Sequence, residues 1–176
     1  FALRIKGQTL PQIFDAYFSG ALAGEQESII RGLDDFEAHM DFEYVPGFLD
    51  FASWLKGQHV ATALVTSSNH KKMENVYRCH PGFQDMFEEI LTAEDFAASK
   101  PSPDCYLKAA KRFGLSPDDC VGFEDSFNGL KSLKAAHMKV VGLATTNSPE
   151  SISALADFII KDYTNLDVLI SRLRKW

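Results

Sequence analysis

Apolar runs alternate with amphipathic segments from Pro46-Gly47 to the end of the chain, and this alternation limits the fold more than any other feature. Such a rhythm is typical of βαβ units, whose strands lie parallel in one sheet. It predicts an α/β protein with a doubly wound parallel sheet over residues 46–176. The predicted strands are Val60–Val65, Glu89–Thr92, Cys120–Phe123, Val140–Leu143 and Phe158–Ile160.

Residues 1–45 show only helical patterning, so we predict a separate helical part there. Apolar residues recur three and four positions apart from Leu10 to Phe18, and a second helix is predicted from Glu25 to Met40. An acidic stretch is expected to form a solvated helix face, and its members are Asp34, Asp35, Glu37 and Asp41. The helices predicted after Pro46-Gly47 are Phe48–Lys56, His70–Arg78, Pro103–Phe113, Gly129–Ala136, Pro149–Leu155 and Leu166–Arg174.

Polar segments follow three of the predicted strands, at the edge of a parallel sheet where ligands bind. Thr66-Ser67-Ser68-Asn69 offers hydroxyl and N–H groups that can hold an anion, although the same residues can simply cap the next helix. Lys100-Pro101 can direct an ammonium inward to a phosphoryl oxygen and a carboxylate, or present an ordinary surface lysine. Taken alone, each of these two segments favours the simpler structural interpretation.

Glu124-Asp125 is the third segment, and here the functional interpretation is favoured even alone. Adjacent carboxylates at the end of a buried strand repel each other unless a cation offsets them, and Mg²⁺ prefers such oxygen ligands. The alternative is that Asp125 or Ser126 caps the helix that follows while Glu124 faces solvent.

The charge balance and the cysteine content limit the possible binding partners and the cellular compartment of the protein. Eighteen basic against 24 acidic residues give a net charge of −6 without a basic cluster, which argues against nucleic acid and anionic membranes as partners. No apolar run approaches the roughly 18 residues that cross a bilayer. Three widely spaced cysteines without a CxxC pair indicate a reducing compartment, so we expect a cytoplasmic protein. Cys120 is expected to pack in the core.

Together, these segments resemble the haloacid dehalogenase superfamily, from about Lys6 to Trp176. The stretches 91–95, 100–106 and 124–129 are similar to those of the subgroup that contains sugar-phosphate phosphatases and β-phosphoglucomutase. The resemblance implies a Rossmann-like core with a partial helical cap over residues 1–45, and Mg²⁺ as cofactor.

The resemblance also implies residue roles. Thr66 is expected to donate a hydrogen bond to the phosphoryl group, with Ser67 and Ser68 in the same phosphate-binding turn. Lys100 is expected to steady the nucleophile and the phosphoryl oxygens. Asp125 is expected to bind Mg²⁺, with Glu124 as a second or outer ligand. Lys6, Gly7 and Gln8 match a cap loop that points at the active site in the subgroup. His70 is a further candidate for a substrate contact because of its position, on the first helical turn after the Thr66 segment.

Two features depart from the family pattern. The Asp-x-Asp segment, whose first Asp is the nucleophile and whose second is the general acid/base, does not occur in this sequence. In the family it precedes the cap, and this sequence opens with Phe1 rather than Met. We therefore expect the nucleophile in a missing N-terminal segment, and these residues alone to be inactive. Leu10 also stands where related mutases have a phosphate-binding Arg, which favours a hydrolase.

The sequence thus predicts a Mg²⁺-dependent phosphatase of small phosphorylated metabolites, with sugar phosphates as the expected class, acting through an aspartyl-phosphate. A β-phosphoglucomutase-like phosphotransferase is one alternative, and a non-catalytic member of the fold that binds a phosphorylated ligand or a protein is another. A nucleotide-binding domain is disfavoured because no strand-end turn has a glycine-rich phosphate signature. A monomer is expected, with neither nucleic acid nor a membrane as partner.

Overall fold

The computed structural model describes residues 10–20 and 23–176, and helices precede the first strand. None of the helices in these ranges has the length and apolar character needed to cross a bilayer. The α-helices are α1 (Leu10–Tyr17), α2 (Ala23–Ala38), α3 (Phe48–Gly57), α4 (His70–Cys79), α5 (Asp104–Phe113), α6 (Phe127–Ala135), α7 (Pro149–Ile152) and α8 (Leu166–Leu173). The strands are β1 (Ala63–Val65), β2 (Glu89–Leu91), β3 (Val121–Glu124), β4 (Lys139–Leu143) and β5 (Phe158–Ile160). Short 3₁₀ turns occur at Gln84–Met86, Ala93–Asp95, Pro117–Asp119 and Ser153–Leu155.

Every strand pair in the structure is parallel, as the alternating pattern predicts. β1 pairs with β2, and β4 lies between β3 and β5. The strands nevertheless fall into two sheets, since no ladder among the described residues joins β1 to β3. Within the described residues, β1 and β3 therefore each have one paired edge.

Helices cover β4 and β5 on both faces, which makes the sheet doubly wound. Val140 and Ile159 pack into one apolar cluster with α5 and α6. Leu143 and Ile160 pack into a second cluster with α3 and α8. The alternation of side chains along each strand places these neighbours on opposite faces. Cys120 packs against the first cluster, which confirms its predicted role in the core.

All five predicted strands occur, but several boundaries differ for local reasons. β1 begins at Ala63 rather than Val60 because the N–H of Val60 donates to Leu55 O, which ends α3. His59 has a φ of 56° in that turn, as helix-ending residues often have. α6 begins at Phe127 rather than Gly129 because the Ser126 side chain accepts from Gly129 N and acts as the N-cap.

Gly47 fixes the start of the core against the segment before α8. Its φ is +78°, and an added Cβ would lie 2.5 Å from the backbone carbon of Tyr163. The N–H of Tyr163 donates to Pro46 O at 2.9 Å, so the two backbones are held together at this point. Only a glycine combines this φ with this close approach.

We therefore predict that Gly47→Ala lowers the free energy of unfolding by about 2–4 kcal/mol, since it adds left-handed strain to a backbone clash. Urea denaturation measures the change. Gly57→Ala is the matched control, because its Cβ would meet nothing within 4 Å and alanine favours the helix. Equal stability of the two variants would contradict the close packing at Gly47.

Candidate active site

The ammonium of Lys100 joins the carboxyl ends of β1 and β3. Its Nζ donates to Val65 O at 3.2 Å and to Glu124 Oε1 at 2.6 Å. The Lys100 side chain is only 4% exposed and that of Glu124 11%, so the ion pair is buried. The structure thus places this lysine inside the protein, between the ends of strands that belong to separate sheets.

Tyr106 contacts both members of this pair, and sequence reasoning did not single it out. The Tyr106 hydroxyl donates to Glu124 Oε1 at 3.0 Å, and Lys100 Nζ lies 4.9 Å from the ring centroid. Burial first, and then the negative charge of Glu124, raise the pKa of Tyr106 well above its ordinary value. The phenol therefore stays neutral and serves as a hydrogen-bond donor.

The carboxylate of Glu124 is fully engaged by protein donors. Oε1 accepts from Lys100 and Tyr106, while Oε2 accepts from Asp125 N, Ser126 N and Ser126 Oγ, each at 3.0 Å. Gly129 lies beneath it, since a Cβ there would be 2.0 Å from Glu124 Cδ. Glu124 thus ties Lys100 to the first turn of α6, and its role as a metal ligand stays a prediction.

Asp125 faces a different set of partners, in the turn that follows β4. Its Oδ2 accepts a hydrogen bond from Thr146 Oγ1, and Thr145 Oγ1 lies 3.5 Å from the same oxygen. Asn147 Nδ2 donates to the backbone oxygen of Asp125 at 2.7 Å. The sequence held a signal for this turn, because Thr145-Thr146-Asn147 is a further polar segment one residue after a predicted strand.

The turn after β1 has mixed roles. The N–H of Ser68 donates to Thr66 Oγ1 at 3.1 Å, and Ser67 is half-buried. The Asn69 side chain accepts from Lys72 N at 2.9 Å, so this residue caps α4 as the simpler interpretation holds. The N–H of His70 donates to Glu94 Oε1 at 3.0 Å, and His70 is exposed.

A capping box after β2 is hydrogen-bonded to the turn that follows β1. Thr92 N donates to Asp95 Oδ2 at 2.8 Å, and Thr92 Oγ1 lies 3.2 Å from the same oxygen. Ala93 N, inside the box, donates to Ser68 O at 3.0 Å. The hydrogen bond from Thr92 N is the largest influence on the pKa of Asp95 and holds it below the ordinary value, against the opposing effect of burial.

Two early helices contact the core beside these turns. Lys71 pairs with Asp34, and Lys72 pairs with Glu37 at 2.6 Å, which joins α2 to the first turn of α4. Two residues of the predicted solvated face thus form ion pairs, and their side chains remain 27% and 23% exposed. Gln12 Nε2, on α1, lies 3.3 Å from Lys100 O. The candidates Lys6, Gly7 and Gln8 lie outside the described residues.

The residues at the end of β3 fit part of the ligand set of a Mg²⁺ ion. Mg²⁺ usually takes one or two protein carboxylates and completes its shell with water and phosphate. Asp125 supplies one carboxylate beside this strand end, whereas both oxygens of Glu124 already accept hydrogen bonds from protein donors. Within residues 10–20 and 23–176, no group of three or more His, Cys, Asp or Glu residues could hold a metal ion. Further ligands would have to come from substrate, solvent or other residues.

The chain resembles known phosphate-ester hydrolases in sequence. Residues 8–137 match the family model of haloacid dehalogenase-like hydrolases. The chain is 34% identical over 142 residues to the bifunctional riboflavin kinase/FMN phosphatase of Arabidopsis thaliana, covering 80% of this chain and 36% of that protein. It is 31% identical over 125 residues to hexitol phosphatase B of Escherichia coli strain K12, covering 69% and 55%. It thus spans roughly a third to a half of these relatives.

Solved structures show the same fold. A hydrolase from Pseudomonas syringae gives a TM-score of 0.82 at 18% identity, covering 98% of this chain and 82% of that one. CbbY from Rhodobacter sphaeroides, solved in complex with phosphate, gives 0.69 at 25% identity, covering 83% and 67%. The α/β architecture predicted from the sequence is therefore confirmed.

We predict that Gly129→Ala lowers the free energy of unfolding by about 2–4 kcal/mol, because its Cβ would displace the Glu124 carboxylate and break a buried ion pair. Denaturation in urea measures the effect. Gly32→Ala on α2 is the control, since nothing lies within 4 Å of its added Cβ. A Gly129 variant as stable as wild type would show that Glu124 is not held over this glycine.

We also predict a pH dependence from the capping box. The pKa of Asp95 in the folded protein is below its ordinary value of 3.8. Its contribution to the free energy of unfolding is therefore present above about pH 4 and is lost as the pH falls through the lower folded pKa. Asp95→Asn keeps the shape but cannot titrate. Urea titrations between pH 6 and 3 should give a shallower acid slope for this variant, and identical slopes would refute the assignment.

Proposed function

The chain belongs to the haloacid dehalogenase-like hydrolases. We therefore propose that it is part of a Mg²⁺-dependent phosphatase of small phosphorylated metabolites, and that it contributes the buried lysine of the active site. The observation that carries this proposal is the buried Lys100, whose ammonium lies at the carboxyl ends of β1 and β3 beside Glu124. A buried, oriented cation is a strong electrostatic stabiliser for a phosphoryl group in transfer.

The relatives' names support the substrate class. FMN and hexitol phosphates, named in the two curated phosphatases, are both small phosphorylated metabolites. We propose sugar phosphates as the class for this chain.

The edges of β1 and β3 support a location for the nucleophile. Each of these strands has one ladder partner, and the facing edges carry no ladder in the part of the chain that the structure describes. A parallel strand between them would end beside Lys100, which already bonds to Val65 at the end of β1 and to Glu124 at the end of β3. We propose that such a strand, outside residues 1–176, carries the nucleophilic aspartate, and that residues 1–176 alone do not turn over.

Each described residue then has a role toward the phosphoryl group. The Thr66 hydroxyl accepts from Ser68 N and can donate its own proton to a phosphoryl oxygen. The N–H of Ser67 is the second donor that the resemblance implies. Lys100 offsets the negative charge of the phosphoryl oxygens and the nucleophile. Asp125 would hold Mg²⁺, with Glu124 as the second candidate ligand. When bound, Mg²⁺ would supply further charge stabilisation to the transferring phosphoryl group.

The early helices are proposed to act as a cap. α2 reaches α4 through two ion pairs, and Gln12 of α1 reaches the backbone of Lys100. A cap in this position would exclude water from the first transfer. His70, on the first turn of α4, and the segment Lys6 to Gln8 are the proposed substrate contacts.

An assay of the full-length gene product that contains these residues tests the proposal. We expect inorganic phosphate release from a panel of sugar phosphates and FMN that requires Mg²⁺ and stops with a chelator. Lys100→Ala should lower kcat by about 10²–10³-fold, as the loss of an oriented charge stabiliser does. Lys139→Ala is the control, because this exposed lysine begins β4 at the opposite end of the sheet.

Residues 1–176 alone should release no phosphate. Turnover by residues 1–176, or Mg²⁺-independent turnover by the full-length product, would refute the mechanism. Turnover that requires an added bisphosphate would favour a phosphotransferase, and ligand binding without any release would favour a non-catalytic protein.

A further inference from the structure

The turn after β4 holds both ends of Asp125. Thr146 Oγ1 donates to the side-chain oxygen Oδ2, and Asn147 Nδ2 donates to the backbone oxygen at 2.7 Å. One contact restrains the rotation of the carboxylate, and the other fixes the peptide unit that carries it. The phosphatase proposal assigns no role to either residue.

The fold makes this turn a rigid support. Glu124 lies opposite Gly142 in the β3–β4 register, so Asp125 follows level with the end of β4. The N–H of Ala144 donates to Ile160 O at 2.8 Å, which extends the β4–β5 contact up to the turn. On its other side, Ser148 caps α7 by accepting from Ser151 N. The turn is thus anchored at both ends.

The arrangement also separates two adjacent negative charges. Glu124 accepts five hydrogen bonds from Lys100, Tyr106, Asp125 and Ser126. Asp125 instead turns its Oδ2 toward the hydroxyl of Thr146. Like charges at neighbouring positions repel unless each has its own partners. The turn after β4 provides those partners for Asp125.

We propose that Thr146 and Asn147 are positioning residues that orient Asp125 for binding a divalent cation. The inference rests on the metal site of the proposed function. Hydrogen-bond partners of a metal ligand fix its direction, and their removal typically weakens metal affinity by about 10–100-fold. Neither residue is itself assigned as a ligand.

Thr145 offers a comparison within the same turn. Its hydroxyl lies 3.5 Å from Asp125 Oδ2, at the limit of a hydrogen bond, and the residue is exposed. Thr146 is half-buried and in closer contact with the same oxygen. The same substitution at adjacent positions therefore removes a direct hydrogen bond in one case and a marginal one in the other.

The test measures Mn²⁺ binding to the full-length gene product by the loss of the free-ion electron paramagnetic resonance signal, with Mg²⁺ as competitor. We expect Thr146→Val to weaken Mn²⁺ affinity about tenfold and Asn147→Ala to weaken it in the same direction. Thr145→Val should change the affinity less than twofold. Thr146→Ser, which keeps the hydroxyl, should restore wild-type affinity, and a thermal scan shows that each variant is folded.

The outcomes separate this inference from the function on which it rests. If Asp125→Asn binds Mn²⁺ as wild type does, the metal site of the proposed function is wrong and the inference fails with it. If Asp125→Asn loses binding while Thr146→Val and Thr145→Val behave alike, the positioning role alone is wrong. A Thr146→Val variant with a lower Tm and unchanged Mn²⁺ affinity would also overturn it, since that result describes a purely structural residue.

Discussion

The buried ion pair between Lys100 and Glu124 is the interaction on which the rest of the site depends. Removing two charges from water is costly, and their attraction repays that cost only when the remaining hydrogen-bonding groups are satisfied. The surrounding sequence meets this condition with a tyrosine hydroxyl, two backbone N–H groups and a serine hydroxyl on one carboxylate. Gly129 leaves the space in which that carboxylate lies.

The same pair organises parts of the fold that are distant in sequence. Lys100 precedes α5, Val65 ends β1 and Glu124 ends β3, so one ammonium links elements separated by 24 and 35 positions. A hydrophobic pair of similar size could stabilise the core as well or better. A buried charged pair at this place therefore fits the proposed chemistry at the strand ends, and stability alone does not require it.

Much of the architecture could be predicted from periodicity, because a strand and a helix impose different spacings on apolar residues. The prediction was wrong at Val60, since an apolar residue that ends a helix has the same local pattern as one that begins a strand. Glu124 and Asp125 could be singled out because adjacent charges at the end of a buried strand are unusual, whereas Lys100 stood out only through the resemblance to a family. Tyr106 could not, because an aromatic residue on a helix acquires its meaning only from a partner 18 positions away. Thr146 lies in a polar segment near a strand end, but its partner 21 positions away could not be inferred from that segment. The missing ladder between β1 and β3, among the described residues, has no signal in the local sequence.

That missing ladder also bears on how the chain behaves in solution. An unpaired strand edge is a row of donors and acceptors that can template further pairing with any extended chain. The edges that could receive a catalytic strand are for that reason the points at which self-association would begin. β1 has three residues and β3 has four, and short edges limit the length of any foreign ladder. If the proposed catalytic strand pairs with β1 and β3, it would complete the site and cover both edges at once.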